Sequence, residues 1–334
     1  MPKTSSEPIA VARPDLLRRT LNGPTMDTRW SVTLDAAPSL DTALLHAALT
    51  AAVREVDDQM SPWKPESDLS RLNRAEPGTW VMLPAAILTV LEHALHVGRA
   101  SRGAFDPAVG SLVDAWGFGA ARDAPDATAI RAAAASVTPP AYRSLELDLP
   151  AGRARKHAAM QLDLCGIAKG YAVDRMVAVL KNHGVAHALA ALDGELRALG
   201  PQGTGEPWAI ALESPQFSRR TTHGVIELAD LAVATSGDYR HWLQLGTARI
   251  AHSMDGRSHA PVRNEVASVT VLARDCISAD AWATALLVAG AGEGMALAQQ
   301  RGLEALWLLR RGDALVELGL GRFAGAHGMG QRHL

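Results

Sequence analysis

Cysteine is almost missing from this chain: its 334 residues include only Cys165 and Cys276. Two thiols make neither a disulfide framework nor a four-ligand zinc site, so free thiols are expected. Long apolar runs are missing too. No segment holds roughly 18 uninterrupted apolar residues, the length that crosses a bilayer, so no transmembrane helix is expected. The opening "MPKTSSEPIAVARPDLLRRTLNGPT" has no signal-peptide core, and no lipobox cysteine follows it. The expected location is therefore cytoplasmic, or periplasmic if an export segment has been removed. Charge of one sign is also absent. The formal net charge is −2 with both signs interspersed, which leaves no basic face for nucleic acid and favours small-molecule or protein partners.

What is there suits a substantial core: 48 % hydrophobic and 20 % charged residues. Residues 1–24 carry Pro, Ser and Arg without periodicity and read as a flexible arm. An ordered region over 25–323 follows, as one domain or two intimate lobes, and then a disordered tail over 324–334. "RWSVTLDA" alternates as a strand, and "DTALLHAALTAAVREVDDQM" is a helix begun by an Asp cap. "LPAAILTVLEHALHVGRASRG" and "GYAVDRMVAVLKNHG" are amphipathic helices ending at glycine. "VAHALAALDG", "PWAIALES", "GVIELAD", "ARIAHSMDG" and "ASVTVLARD" are short strands whose succession favours antiparallel pairing. "SADAWATALLVAGAGEGMALAQQRG" gives two helices around a glycine-rich break, and "LEALWLL" returns as a strand. The fold class is α+β, with mostly antiparallel sheet flanked by helices.

The stretch "LDLCGIAKGYAVD" sets Lys169 between glycines where a strand gives way to a helix. It lacks the G-x-x-x-x-G-K-[ST] spacing of a P-loop. What remains is a turn exposing backbone groups at a helix start, with one cation beside it and Asp163 just before it. "GAGEG", Gly290 to Gly294, follows a helix rather than a strand, so it reads as an interhelical loop and not as a dinucleotide fingerprint.

Asp280 and Thr284 lie four apart on a helix, so a carboxylate and a hydroxyl share one face. They suit Mg²⁺, which takes one or two protein carboxylates and completes its shell with phosphate and water. The same pair also fits a helix-start Asp favoured by the dipole and a Thr bonded to its own backbone. His252, at a strand end, can take a proton from a hydroxyl or serve as an ordinary satisfied histidine. Asp255 reads equally as a turn residue. Asp106 in "GAFDPAVGSLVDAWGFG" sits where a ring-shaped ligand could pack, or else caps a loop. Trp63 in "MSPWKPESDLSRLN" is a stacking wall or a loop anchor, and "TSGDY" is a catalytic or an ordinary turn.

The order of "MDTRW", "MSPWKPESDLSRLN", "GAFDPAVGSLVDAWGFG", "LDLCGIAKGYAVD", "TSGDY", "HSMD" and "SADAWATAL" resembles that of the ApbE family of FAD:protein FMN transferases, from about Met26 to Leu309. The resemblance implies the family's fold and a Mg²⁺-dependent transferase. Such an enzyme splits FAD, releases AMP and links FMN through a phosphoester to a threonine of an acceptor flavoprotein. It also implies that Asp280, Thr284 and the Gly166 carbonyl hold the metal. Met26, Trp63, Ala104, Phe105, Asp106, Asp163 and Lys169 would hold FAD, and His252 would activate the acceptor threonine. The chain departs from the family pattern at Asp27, Cys165, Asp193, Gly256 and His259, all in loops near the nucleotide or the acceptor entrance. Two alternatives remain open on the sequence: a pyrophosphatase giving FMN and AMP, and a non-catalytic FAD-binding protein.

Overall fold

The computed structural model describes residues 15–325 apart from positions 123, 137, 217–220, 240, 241, 247 and 313. The chain opens with a hairpin of β1 (Leu17–Thr25) and β2 (Thr28–Ala36), followed by helices α1 (Thr42–Met60) and α2 (Asp68–Arg74). Next come β3 (Trp80–Met82), α3 (Ala85–Ala100), α4 (Gly110–Ala115), α5 (Ala127–Ala135) and α6 (Ala141–Ser144). Strands β4 (Leu145–Asp148) and β5 (Arg153–Lys156) precede α7 (Ala168–Asn182). Six further strands run through β6 (Ala188–Leu192), β7 (Glu195–Leu199), β8 (Trp208–Glu213), β9 (Thr222–Leu228), β10 (Ala232–Gly237) and β11 (Trp242–Leu245). Then β12 (Ala248–Ala251), β13 (Met254–Asp255), β14 (Ala260–Pro261) and β15 (Val266–Ala273) lead to α8 (Cys276–Arg301), β16 (Glu304–Arg311) and β17 (Ala314–Gly319).

Eight of these strands form one sheet in the order β1-β2-β6-β7-β10-β15-β16-β17, antiparallel throughout. Its two faces bury different layers. Helices α7 and α8 cover one face, where Trp30, Val32, Leu34, Ala190, Leu192, Val269, Val271 and Trp307 join the main core. The β8–β9 hairpin covers part of the other, where Trp208, Ile210, Leu228, Val233, Leu272, Leu306 and Leu308 meet. This explains the continuous apolar run of β15, which is buried along nearly its whole length.

All but the last residue of β1 lies in the segment, 1–24, whose composition suggests a flexible arm, and the arm is there a paired strand. Its burial is slight, and it is held by nine paired positions against β2 rather than by an apolar face, so periodicity has nothing to register. Residues 1–14 and 326–334 of the expected arm and tail lie outside the described residues. The helix starts follow their caps: Asp41 accepts from the Ala43 and Leu44 amides, and Asp275 from the Ser278 amide. The expected interhelical loop at "GAGEG" is a break at one residue. Gly290 alone leaves helical geometry, at φ 76°, and α8 continues beyond it. By length and composition α8 could cross a bilayer, but most of its apolar stretch is packed within the protein.

Candidate active site

The N-termini of α7 and α8 meet at one corner of the sheet and cap each other. Asp174 of α7 accepts from the Cys276 and Ile277 amides at the start of α8, both at 2.9 Å. Asp280 of α8 returns the arrangement, accepting from the Gly170 amide at the start of α7 at 2.9 Å. Each carboxylate thus satisfies amides that a helix start leaves without an internal partner. The exchange needs close helices. A Cβ on Gly170 would lie 2.4 Å from the Cys276 carbonyl oxygen, so the glycine after Lys169 serves helix contact rather than phosphate wrapping.

Beside this corner opens a cavity of about 1060 Å³. Every residue to which the resemblance gives a role lines it: Met26, Trp63, Ala104, Phe105, Asp106, Asp163, Gly166, Lys169, His252, Asp280 and Thr284; of the departures, Asp27, Cys165 and Asp193 line it, while Gly256 and His259 do not. They reach it from distant parts of the chain. Met26 and Asp27 form the two-residue loop of the β1–β2 hairpin, both at positive φ (45° and 56°), as a type I′ turn requires. Aspartate tolerates that geometry better than most residues, so Asp27 stands where the turn accepts it, with its side chain at the cavity. Trp63 is 57 % exposed at the rim, next to Lys64, whose ammonium bridges Asp57 and Asp58 of α1.

The floor is built by loops tied to each other. Asn73, at the end of α2, exchanges two hydrogen bonds with the Leu162 backbone at 2.8 and 2.9 Å. The Asp163 amide donates to the Pro107 carbonyl at 2.8 Å, joining the two motif loops. Asp163 Oδ1 accepts from the Cys165 amide at 2.7 Å, and desolvation raises its carboxyl above the ordinary range. Cys165 is open to the cavity yet crowded by protein, so desolvation first and Asp163 second push its thiol up. Asp106 realises the capping alternative, with Oδ1 accepting from the Ala108 and Ala141 amides at 3.0 Å, while it also faces the cavity. Burial raises this carboxyl as well.

Asp280 is 4 % exposed, and burial raises its carboxyl to about 6. Thr284, one helical turn on, shares a hydrogen bond at 3.1 Å with Ser236 of the "TSGDY" turn. Gly166 backs against the same threonine: a Cβ there would sit 3.0 Å from its Oγ1. The Lys169 ammonium lies 2.9 Å from Asp193 Oδ2. Burial alone would lower its pKa, but the charges of Glu195 and Asp193 outweigh that and raise it. His252 packs edge-on against Phe118, with ring centroids 6.3 Å apart. Asp255 turns away into a local clasp, accepting from the Arg257 amide at 2.9 Å and guanidinium at 3.0 Å, so its turn reading holds.

Glu195 is the residue that sequence reasoning passed over. It opens β7, lines the cavity and is 7 % exposed. The available signal was a carboxylate directly after the Asp193–Gly194 turn and ahead of a buried strand. Among the described residues no three His, Cys, Asp or Glu side chains converge as a metal site. The donors that do gather are oxygens.

A sheet capped by two mutually braced helices, with an oxygen-rich cavity at their joined ends, defines the class to which the chain belongs. The profile of the ApbE family matches residues 26–307, and the chain is a member of that family. By that kinship it is an enzyme of the transferase class. The FAD:protein FMN transferase of Vibrio cholerae is 33 % identical over 305 residues, covering 89 % of each chain. That of Haemophilus influenzae is 30 % identical over 308 residues, covering 89 % of this chain and 88 % of its own. Among solved structures, the flavin transferase ApbE of Vibrio cholerae superposes with a TM-score of 0.81 at 32 % identity, over 91 % of this chain and 97 % of the other. The Pseudomonas stutzeri flavinyl transferase ApbE, in its apo form, gives 0.81 at 30 % identity over 96 % and 98 %.

Proposed function

We propose that this enzyme cleaves FAD with Mg²⁺, attaches FMN through a phosphoester to a threonine of an acceptor flavoprotein, and releases AMP. The observation that carries this reading is the gathering of Asp280, Thr284, Gly166, Lys169 and His252 around one cavity large enough for a dinucleotide.

The donor set fits a hard cation. A carboxylate, a hydroxyl and the Gly166 carbonyl are all oxygen ligands, and a side chain at 166 would fill the space beside Thr284. When bound, the ion supplies charge neutralisation at the pyrophosphate oxygens. The chain's own groups do the rest. Lys169 presents a cation to the phosphates, while Trp63, Met26 and Phe105 offer apolar surfaces to the rings. Asp106 and Asp163 offer carboxyl oxygens to polar edges of the dinucleotide. His252 takes the proton of the acceptor threonine hydroxyl as its oxygen attacks the FMN phosphorus, and AMP departs as the leaving group.

The test is incubation with FAD, Mg²⁺ and a flavoprotein domain bearing an acceptor threonine. The expected result is flavin fluorescence on the acceptor in a denaturing gel, with an equal amount of AMP in solution. AMP and FMN without a labelled acceptor would replace transfer by hydrolysis, and bound FAD with neither product would leave only a binding protein. Asp280→Ala should abolish Mg²⁺-dependent turnover. His252→Ala should slow transfer while sparing FAD affinity.

A further inference from the structure

Glu195 poses a problem that the reaction as described does not solve. Its carboxyl is buried, and Oε2 is shielded from solvent without a hydrogen-bond partner among the described residues. Such an oxygen loses hydration and gains nothing in return, so a partner absent from the chain itself is expected.

The surroundings narrow the nature of that partner. Leu196 and Ala198 of β7 pack under the β8–β9 hairpin, so the alternation of a strand sends Glu195 and Arg197 to the opposite face, toward α7 and α8. Arg197 is engaged there by Asp174 at 2.5 Å, and Lys169 by Asp193 at 2.9 Å. Glu195 interacts electrostatically with Asp280, Lys169 and Asp193. The charges of Asp193, Glu195 and Asp280 thus act on Lys169, while Arg197 is taken up by Asp174. Carboxyl groups outnumber the lysine there, which favours a cation as the absent partner.

We propose that Glu195 is a further carboxylate of the cation site, bound to the ion directly or through one of its waters. The proposal rests on the assignment of Asp280, Thr284 and Gly166 to that ion. One or two carboxylates with a shell completed by water is the usual demand of Mg²⁺, and a coordinated water has protons to donate to a bare oxygen such as Oε2.

Binding of Mn²⁺ alone to the full chain, read from the loss of the free-ion signal in electron paramagnetic resonance, tests this without turnover. Wild type should bind Mn²⁺, Asp280→Ala should lose it, and Glu195→Gln should weaken it about ten- to a hundredfold. The melting temperature of cation-free Glu195→Gln should equal or exceed that of wild type, because the amide matches the carboxyl in size and Oε2 gives up no hydrogen bond. Wild-type affinity in folded Glu195→Gln overturns the proposal and leaves the Asp280 assignment standing. Unchanged affinity in Asp280→Ala, or no binding by wild type, overturns both. If Glu195→Gln does not fold, Glu195→Asp decides: the retracted carboxylate should weaken Mn²⁺ binding, and full affinity would refute the assignment.

Discussion

Asp193 Oδ2 sits 2.9 Å from the Lys169 ammonium, inside the cavity proposed to receive the FAD pyrophosphate. The lysine is thus already paired before any phosphate arrives, and Asp193 holds left-handed backbone (φ 55°) to reach it from a two-residue turn. An incoming phosphate must share or displace that carboxylate.

Asp193→Gly should therefore release Lys169 for the nucleotide and ease the turn at once. FAD affinity is expected to tighten about fivefold, the scale of one partly exposed ion pair. Quenching of flavin fluorescence, titrated without divalent cation to prevent turnover, measures it. Weaker binding would mean that Asp193 holds the lysine in place rather than competing for it.

The Asp280 carboxyl, raised to about 6 by burial, sets a pH dependence of defined sign. An unfolded aspartate titrates near 4, so the cation-free native state holds this proton more tightly than the unfolded chain. The group's contribution to stability is thus fully present below about pH 4 and is lost as pH rises toward 6. Cation binding runs the other way, because it needs the ionised carboxylate. Below about pH 6, Mn²⁺ affinity should fall up to about tenfold per pH unit. Isotherms at about pH 5 and pH 7 check this, and equal affinities at both would contradict the assignment.

Gly170→Ala should separate α7 from α8. The new methyl meets the Cys276 carbonyl oxygen at 2.4 Å and the Asp280 Cβ at 2.7 Å, and neither can move without breaking the mutual caps. A loss of about 1–3 kcal/mol in denaturant unfolding is expected. Cation affinity should fall with it, since the same shift displaces Asp280.

Trp63→Ala should weaken FAD binding about tenfold and leave the melting temperature nearly unchanged. The indole is 57 % exposed at the rim, so little of its surface stabilises the fold. A large drop in thermal stability would identify it instead as a loop anchor.

The secondary structure was most legible where a local rule acts alone. Asp41 and Asp275 announce helix starts, and "RWSVTLDA" alternates as its strand does. It was least legible in β1, where pairing with β2 and not burial makes the strand, and at Gly290, where a glycine-rich run proved to be one break in a continuing helix. The motif order drew attention to Asp163, Lys169, Asp280 and Thr284. It passed over Glu195, because a carboxylate at the head of a strand looks like any turn residue until its environment is known.

Most of the elements, the family and the short stretches that line the cavity are thus readable along the chain, because caps, alternation and motif spacing act over a few residues. Only the tertiary structure decided that Asp280 caps a helix 110 positions earlier, that Asp174 returns the cap across 102, and that Lys169 already has a partner in Asp193. Those outcomes depend on how closely two helices can approach at one corner of a sheet. A glycine's missing side chain sets that distance, and its effect appears only when the distant segments meet.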